Sequence, residues 1–199
     1  MLEADIREEV QKMFRGIGWN DYHPPDVSFK GAPTGGVSMG RPDIYLLNTK
    51  GPSAVCEVKT FQDVKVVELW LEPAHISNKQ RRWLDWWTYG RNGLGYLAIG
   101  SVKAPRRLFV VPWEDYVELE FFQRNREAME KEIDPITLDE DLGLPKKMPV
   151  SLFETKFYEC SWETGKGWHF HPSNPILQVP LKLHEKEHWN TVSLRMEEK

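Results

Sequence analysis

The order of helix-like and strand-like segments along the chain is what most limits its possible folds. Apolar residues recur at three- and four-residue spacing where helices are predicted, and they form short runs where strands are predicted. In chain order the segments are a helix at 2–14, strands at 43–48 and 53–60, a helix at 77–89, strands at 95–102 and 107–113, and a helix from 114 to about 131. This order predicts an α/β fold in which a mixed β-sheet is flanked by helices.

Local signals indicate how these segments are joined. Residues 49–52 contain a Gly-Pro pair between the first two strands, which predicts a hairpin. Ser77 is of a type preferred at a helix N-cap. The β-branched run at 64–71 favours a further strand of the sheet. The Pro- and Gly-rich region 19–42 predicts a long loop with one short strand near 27–29.

Length and composition indicate one folded core with an appendage. The chain has 199 residues, of which 40% are hydrophobic and 28% are charged, so it can bury a core and differs from a disordered segment. Residues 1–133 are expected to form the core. Residues 134–199 begin with an acidic linker and are expected to form a small β-rich C-terminal extension, whose role the sequence does not indicate.

The same sequence disfavours several classes of protein. No apolar run approaches the roughly 20 residues of a membrane span, and the N-terminus lacks the pattern of a signal peptide. Two distant cysteines provide no disulfide framework. We therefore expect a soluble, cytoplasmic protein with no membrane partner. Because the net charge is −4, phosphate contacts would depend on local basic patches, and any exposed members of the nine tryptophans could stack on bases.

Charged residues interrupt the first strand pair at three positions. Asp43 opens the first strand, while Glu57 and Lys59 lie two residues apart in the second and so leave the same face. Buried charge is costly unless it is paired or bound to metal. Two carboxylates and the Val58 carbonyl are oxygen ligands of the kind that Mg²⁺ prefers, with Mn²⁺ as a substitute. Lys59 could position an attacking water, which predicts metal-assisted phosphodiester hydrolysis. A surface salt bridge is the alternative.

The sequence Pro42-Asp43, followed by Glu57-Val58-Lys59, resembles the PD-(D/E)XK nuclease superfamily. Residues 3–117 carry the resemblance, and the Ser-x-x-Gln helix at 77–84 looks like one found in the virus-type replication-repair nuclease domain and in Holliday junction resolvases of bacteria and phages. The strand at 108–113 is similar to one in the resolvases. The resemblance implies a restriction-endonuclease-like core and a Mg²⁺-dependent endonuclease of DNA recombination or repair that acts on branched DNA. The resemblance also implies one origin for the protein, namely that a phage encodes it and a bacterial host produces it.

The resemblance further implies roles for a glutamate in the first helix and for Gln80. In the replication-repair branch the first helix supplies a metal-binding glutamate, and the spacing matches Glu3, with Glu9 as the competitor. A favourable charge at a helix start is the alternative for either residue. Gln80 faces the sheet and is expected to support Lys59 or the attacked phosphate, unless it is simply a satisfied buried amide.

DNA contacts and assembly are predicted from charge and symmetry. Phosphate contacts are expected from the basic residues Arg41, Lys79, Arg81 and Arg82. A four-way junction has two-fold symmetry, which a C2 homodimer would match. Trp86 lies off the helix face that Trp83 and Trp87 share, so part of this aromatic surface is a candidate subunit contact.

Two other activities and one other site stay open at this point. The chain could be a monomeric repair nuclease that cuts flaps or single-stranded DNA, or a non-catalytic DNA-binding protein that keeps the nuclease fold. Four histidines, at positions 169, 171, 184 and 188, could form a zinc site, but no cysteine pair accompanies them, and their Pro and aromatic neighbours favour ordinary packing or surface positions.

Overall fold

A computed structural model describes residues 2–22, 42–48, 52–63, 69–101, 106–130 and 143–179. The helices are α1 (Leu2–Gly16), α2 (Asn78–Asp85), α3 (Trp113–Met129) and α4 (Val150–Lys156). The strands are β1 (Asn20–Tyr22), β2 (Ile44–Leu47), β3 (Ala54–Thr60), β4 (Gln62–Asp63), β5 (Leu69–Leu71), β6 (Leu94–Ser101), β7 (Arg107–Pro112), β8 (Met148–Pro149), β9 (Ser161–Glu163) and β10 (Gly167–His169).

The main sheet has five strands in the order β1-β2-β3-β6-β7. β3 pairs antiparallel with β2 and parallel with β6, and the pairs β1–β2 and β6–β7 are antiparallel. A parallel pair needs a crossover connection, and α2 lies in the segment that joins β3 to β6. The structure confirms the predicted α/β fold, in which a mixed sheet is flanked by helices.

Each face of the sheet is covered by its own apolar cluster. On one face, Ile6, Val10 and Phe14 of α1 pack with Cys56 and Val58 of β3, as the predicted helical stripe requires. On the opposite face, Val55 of β3 lies in a cluster with side chains of α2 and α3. Because side chains alternate along a strand, Glu57 and Lys59 share the face of Val55 and point toward α2. This alternation places two charged residues under a helix.

Helix α2 begins as its sequence predicts and ends in an unusual way. Ser77 is the N-cap and forms a capping box with Gln80. The Ser77 hydroxyl accepts from the Gln80 backbone N–H, and the side-chain oxygen Oε1 of Gln80 accepts from the Ser77 backbone N–H. The α-helical hydrogen bonding stops at Asp85 and gives way to a π-helical turn over Trp86–Gly90. This turn carries two of the tryptophans of the segment.

Two parts of the chain differ from the sequence-based expectation. Asn20–Tyr22 forms an edge strand within a region predicted as loop; the strand expected near 27–29 lies outside the described residues. Leu69–Leu71 does not extend the main sheet, because it pairs with β4 and β8 in a separate three-stranded sheet. The reason is tertiary, since β8 arrives from the C-terminal extension.

The described part of the extension, residues 143–179, packs on both sides of the core. It contains a short helix as well as three short strands. Phe153 joins the cluster under α2 and α3, whereas Trp168 and Phe170 join the cluster under α1. The Phe14 ring lies 5.2 Å from the Phe170 ring in an edge-to-face arrangement, which favours the contact. No helix within the described ranges has the length and apolar character needed to cross a membrane.

Candidate functional site

The hairpin of β2 and β3 brings Asp43 opposite Glu57. Ile44 pairs with Cys56 in the antiparallel ladder, so one step further along the register Asp43 faces Glu57. Pro42 has no N–H to continue the ladder, and the Val58 N–H donates instead to Asp43 Oδ2 at 2.8 Å. Because the N–H and C=O of one strand residue point to the same side, the Val58 carbonyl also faces Asp43.

The Glu57 carboxyl is the centre of the site. Glu57 is 1% exposed, and its Oε1 accepts a hydrogen bond from Lys59 Nζ at 2.7 Å. The same oxygen accepts from Gln80 Nε2. Gln80 is held by its place in the capping box, so the N-terminus of α2 positions a donor over β3. The structure therefore brings together the predicted residues Asp43, Glu57, Lys59 and Gln80.

Electrostatics in this cluster favour a neutral Glu57 in the absence of a further cation. Burial raises the pKa of Glu57 from its ordinary value of 4.5 to about 8, and the nearby Asp43 carboxylate adds to the rise. Lys59 opposes it only in part. Burial alone would lower the pKa of Lys59, but the Glu57 carboxylate outweighs burial and the pKa of Lys59 is raised. Lys59 thus stays cationic beside the Glu57 and Asp43 carboxyls.

The two candidate glutamates of α1 lie on different sides of the helix. Glu3 Oε1 is 3.9 Å from Lys59 Nζ, so this exposed carboxylate adjoins the Glu57 cluster. Glu9 forms an ion pair with Lys12 at 2.9 Å and lies beside Gly167 of β10. The two positions are six residues apart, which places them about 120° apart around the helix axis and about 9 Å apart along it, so they face different surroundings.

The four predicted phosphate-binding residues have different surroundings. Lys79 and Arg82 are exposed on α2, close to the N-terminus that carries Gln80. Arg41 lies outside the described residues. Arg81 is engaged within the fold, where it makes two hydrogen bonds of 2.7 and 2.8 Å to the Glu120 carboxylate. Phosphate contact by Arg81 would require breaking this largely buried pair.

Sequence reasoning missed the partners that hold Arg81. Its guanidinium also donates to the carbonyls of Pro73 and Ile76 at 2.8 and 3.1 Å. The Tyr116 hydroxyl donates to Glu120 Oε1 at 2.8 Å, and both side chains are buried on α3. The available signal was the four-residue spacing of Tyr116 and Glu120, which places the acid on the buried face of α3.

Metal ligation in the described residues would have to start from the hairpin. No three His, Cys, Asp or Glu side chains converge there as a ready-made metal cluster, as far as the described ranges extend. His171 stacks on Tyr158 at 4.8 Å and accepts from the Ser173 N–H, so it has an ordinary packing role. The histidines at 184 and 188 lie outside the described residues. Among the described residues, the hairpin offers a metal the oxygens of Asp43, Glu57 and the Val58 carbonyl, with Glu3 nearby.

Comparisons with known proteins add a similarity in structure. No protein-family model matches the chain. No curated protein matches it by sequence. Fourteen chains of solved structures match, and one is Hjc, a Holliday junction resolvase of the archaeal hyperthermophile Archaeoglobus fulgidus, with a TM-score of 0.35 and 15% identity over 55% of this chain and 71% of that chain. The functional conclusion therefore depends on the geometry around Glu57.

Proposed function

We propose that this protein is a Mg²⁺-dependent nuclease that hydrolyses phosphodiester bonds in branched DNA. The observation that carries the proposal is the buried Glu57 carboxyl, which faces a second carboxylate and contacts Lys59 Nζ at 2.7 Å. Burial and the neighbouring Asp43 carboxylate both oppose ionisation of Glu57. A divalent cation bound beside the two carboxyls would remove that cost.

The donor set fits a hard divalent cation. Asp43 and Glu57 supply carboxylate oxygens and Val58 supplies a carbonyl oxygen, whereas waters and a substrate phosphate would complete the coordination. Bound there, Mg²⁺ would supply Lewis-acid stabilisation of the charge that develops on the phosphate. Mn²⁺ has similar ligand preferences and is expected to substitute.

The protein's own side chains divide the remaining work. Lys59 is cationic and sits beside the metal ligands, so it can orient a water toward the phosphorus and stabilise negative charge on a phosphate oxygen. Gln80 holds Glu57 Oε1 in place from the capped end of α2. Glu3 is proposed as the auxiliary acid on account of its position next to Lys59. Lys79 and Arg82 are proposed to contact phosphates flanking the cut.

The test is cleavage of a labelled four-way junction under single-turnover conditions with Mg²⁺. Asp43→Asn keeps an oxygen for the Val58 N–H but removes the charge, and it should reduce the rate about 100-fold or more with little change in thermal stability. Glu57→Gln and Lys59→Met should do the same to the rate. Lys166→Met is the matched control, because Lys166 makes an equally short 2.7 Å ion pair with Glu163 at the surface.

Glu3 and Glu9 give a second matched comparison. Glu3→Gln should slow cleavage or raise the Mg²⁺ concentration required, since it removes a carboxylate near Lys59, whereas Glu9→Gln should leave both unchanged. A parental rate for Asp43→Asn and Lys59→Met would contradict the proposed chemistry. Absence of cleavage with Mg²⁺ or Mn²⁺, together with tight DNA binding, would instead favour a non-catalytic DNA-binding protein that keeps the fold.

Branched DNA is proposed as the substrate, with a homodimer as the acting species. Two symmetric incisions in a four-way junction require two copies of the Glu57 site, and a C2 dimer supplies them. A monomeric nuclease for flaps or single strands is the second candidate, because one site per molecule is sufficient for a single cut.

A further inference from the structure

A cleft opens beyond the far end of α2, outside the Glu57 site. It has a volume of about 470 Å³, within the range of small-ligand sites. Its described lining consists of Pro52, Ser53, Trp86, Trp87, Arg91, Asn92 and Gly93. Two indoles and a guanidinium dominate this surface, so its chemistry is that of planar groups with one positive charge.

The planar groups are already arranged as a stack. The rings of Trp83 and Trp86 are stacked with centroids 4.8 Å apart and an angle of 22° between their planes. The Arg91 guanidinium lies 4.7 Å from the Trp86 ring centroid, in cation–π contact. Trp86 is half-buried and Arg91 is exposed. Aromatic rings and arginine planes are the two surfaces on which proteins stack unpaired bases.

The walls of the cleft are held in place by the backbone. Trp87 Nε1 donates to the Ser53 carbonyl at 3.3 Å. A Cβ at position 93 would lie 2.2 Å from the same nitrogen, so only glycine lets the chain pass the indole. Asn92 adopts a left-handed conformation with φ of 51°, and the π-helical turn presents Trp86 and Trp87 in succession. The cleft is therefore preformed, which limits the entropy lost on binding.

The charges that line this cleft differ from those around a similar arginine–tryptophan pair elsewhere on the protein. Arg106 lies 4.4 Å from the ring of Trp162, but that cavity is also lined by Asp5, Glu8 and Glu9. Three carboxylates would repel a phosphate backbone. No carboxylate appears among the described residues that line the cleft at Trp86. Of the Arg91–Trp86 and Arg106–Trp162 pairs, the first is thus suited to a polyanion.

The cleft also lies within reach of the proposed cleavage site. Trp86 follows Gln80 by six residues, roughly 9 Å along the helix axis at about 1.5 Å per residue. Nucleotides in one strand of a duplex are about 3.4 Å apart along the axis and those of an unpaired strand can lie further apart, so a few nucleotides are enough to span this separation. Arg82 is exposed on the same helix between these two points.

We propose that the cleft of Trp86, Trp87 and Arg91 binds an unpaired nucleobase of a DNA strand, within a few nucleotides of the phosphate at the Glu57 site. The inference rests on the proposed function for the choice of DNA as the ligand. It also makes that function more specific, because it requires a substrate with unpaired bases near the cut. The base stacks on the Arg91 guanidinium, whose opposite side contacts the Trp86 ring, and sequence specificity is not expected, since every base has a flat face.

The test is binding of fluorescently labelled (dT)12 to the full chain by anisotropy, with EDTA in place of divalent metal, against a blunt 12-base-pair duplex. We expect Trp86→Leu and Arg91→Gln each to weaken binding of (dT)12 about tenfold and to leave duplex binding within about twofold. Trp86→Phe keeps an aromatic face and should lose less than Trp86→Leu. Trp162→Leu with Arg106→Gln is the matched control, which should bind (dT)12 like the parent.

Thermal melting of each variant and light scattering accompany the titrations. Unchanged (dT)12 affinity in folded Trp86→Leu overturns the inference. If this variant also changes from dimer to monomer while its (dT)12 affinity is unchanged, the cleft is a subunit contact instead. Should Trp86→Leu fail to fold, Trp86→Phe and Arg91→Gln decide by the same criterion. If no metal supports cleavage while (dT)12 binding depends on Trp86, the proposed nuclease activity fails and the base-binding cleft stands.

Discussion

At the scale of single residues, Glu57 links the stability of the fold to pH. Its pKa is raised from 4.5 to about 8, first by burial and then by Asp43. The folded chain therefore keeps a proton that the unfolded chain releases between these two pH values. Because the folded state binds more protons in this window, the contribution of Glu57 to the free energy of unfolding should be fully present below about pH 4.5 and be lost as the pH rises toward 8. This holds for protein without divalent metal.

The pH prediction is tested by urea unfolding in EDTA at several values between pH 5 and 8. Glu57→Gln cannot titrate, so the decrease in unfolding free energy with pH should be distinctly smaller in this variant than in the parent. Comparing the two chains removes the contribution of the histidines, which is common to both. Identical slopes would mean that Glu57 is already ionised in the folded protein.

At the scale of elements, the ion pair between Arg81 and Glu120 links α2 to α3. Their side chains are only 13% and 10% exposed, and Glu120 also accepts from Tyr116. Removing one partner from a largely buried pair leaves an uncompensated charge, so Arg81→Gln should lower the free energy of unfolding by about 3 to 5 kcal/mol. Chemical denaturation of the parent and the variant measures this difference.

The adjacent residue serves as the control for that prediction. Arg82 is exposed on the same helix, so Arg82→Gln should change stability by no more than about 0.5 kcal/mol while weakening duplex DNA binding. If the two substitutions had the same effect on stability, the Arg81–Glu120 pair would not be a tie between the helices. The comparison also separates a structural arginine from one that is proposed to bind phosphate within a single Arg-Arg sequence.

At the scale of the whole molecule, the proposed homodimer predicts which form of DNA is cut. A homodimer with two Glu57 sites should cut a four-way junction in paired, symmetric positions, and faster than it cuts flaps or linear duplex. Light scattering gives the mass in solution, and cleavage of junction, flap, single-stranded and linear DNA gives the preference. A monomer that cuts flaps fastest would replace the junction assignment and leave the proposed chemistry intact.

Local patterns were sufficient for the helices and strands of the core. The stripe of α1, the hairpin of β2 and β3 and the Ser77 cap of α2 depend on neighbours within a few residues, and all three are confirmed. The small sheet of β4, β5 and β8 could not be predicted in this way. Its strands are only two or three residues long and β8 comes from a distant part of the chain, so no local periodicity marks it.

The sequence by itself determined the chemistry available to the hairpin, because the two-residue spacing of Glu57 and Lys59 sends both side chains to one face whatever surrounds them. Only the tertiary structure decided what meets them there: Gln80 from α2 and Glu3 from α1. The same holds for the exposed basic residues. Arg81 and Arg82 are identical in type and adjacent in sequence, and their environments differ because α3 covers one side of α2 with a buried acid, which only long-range packing can specify.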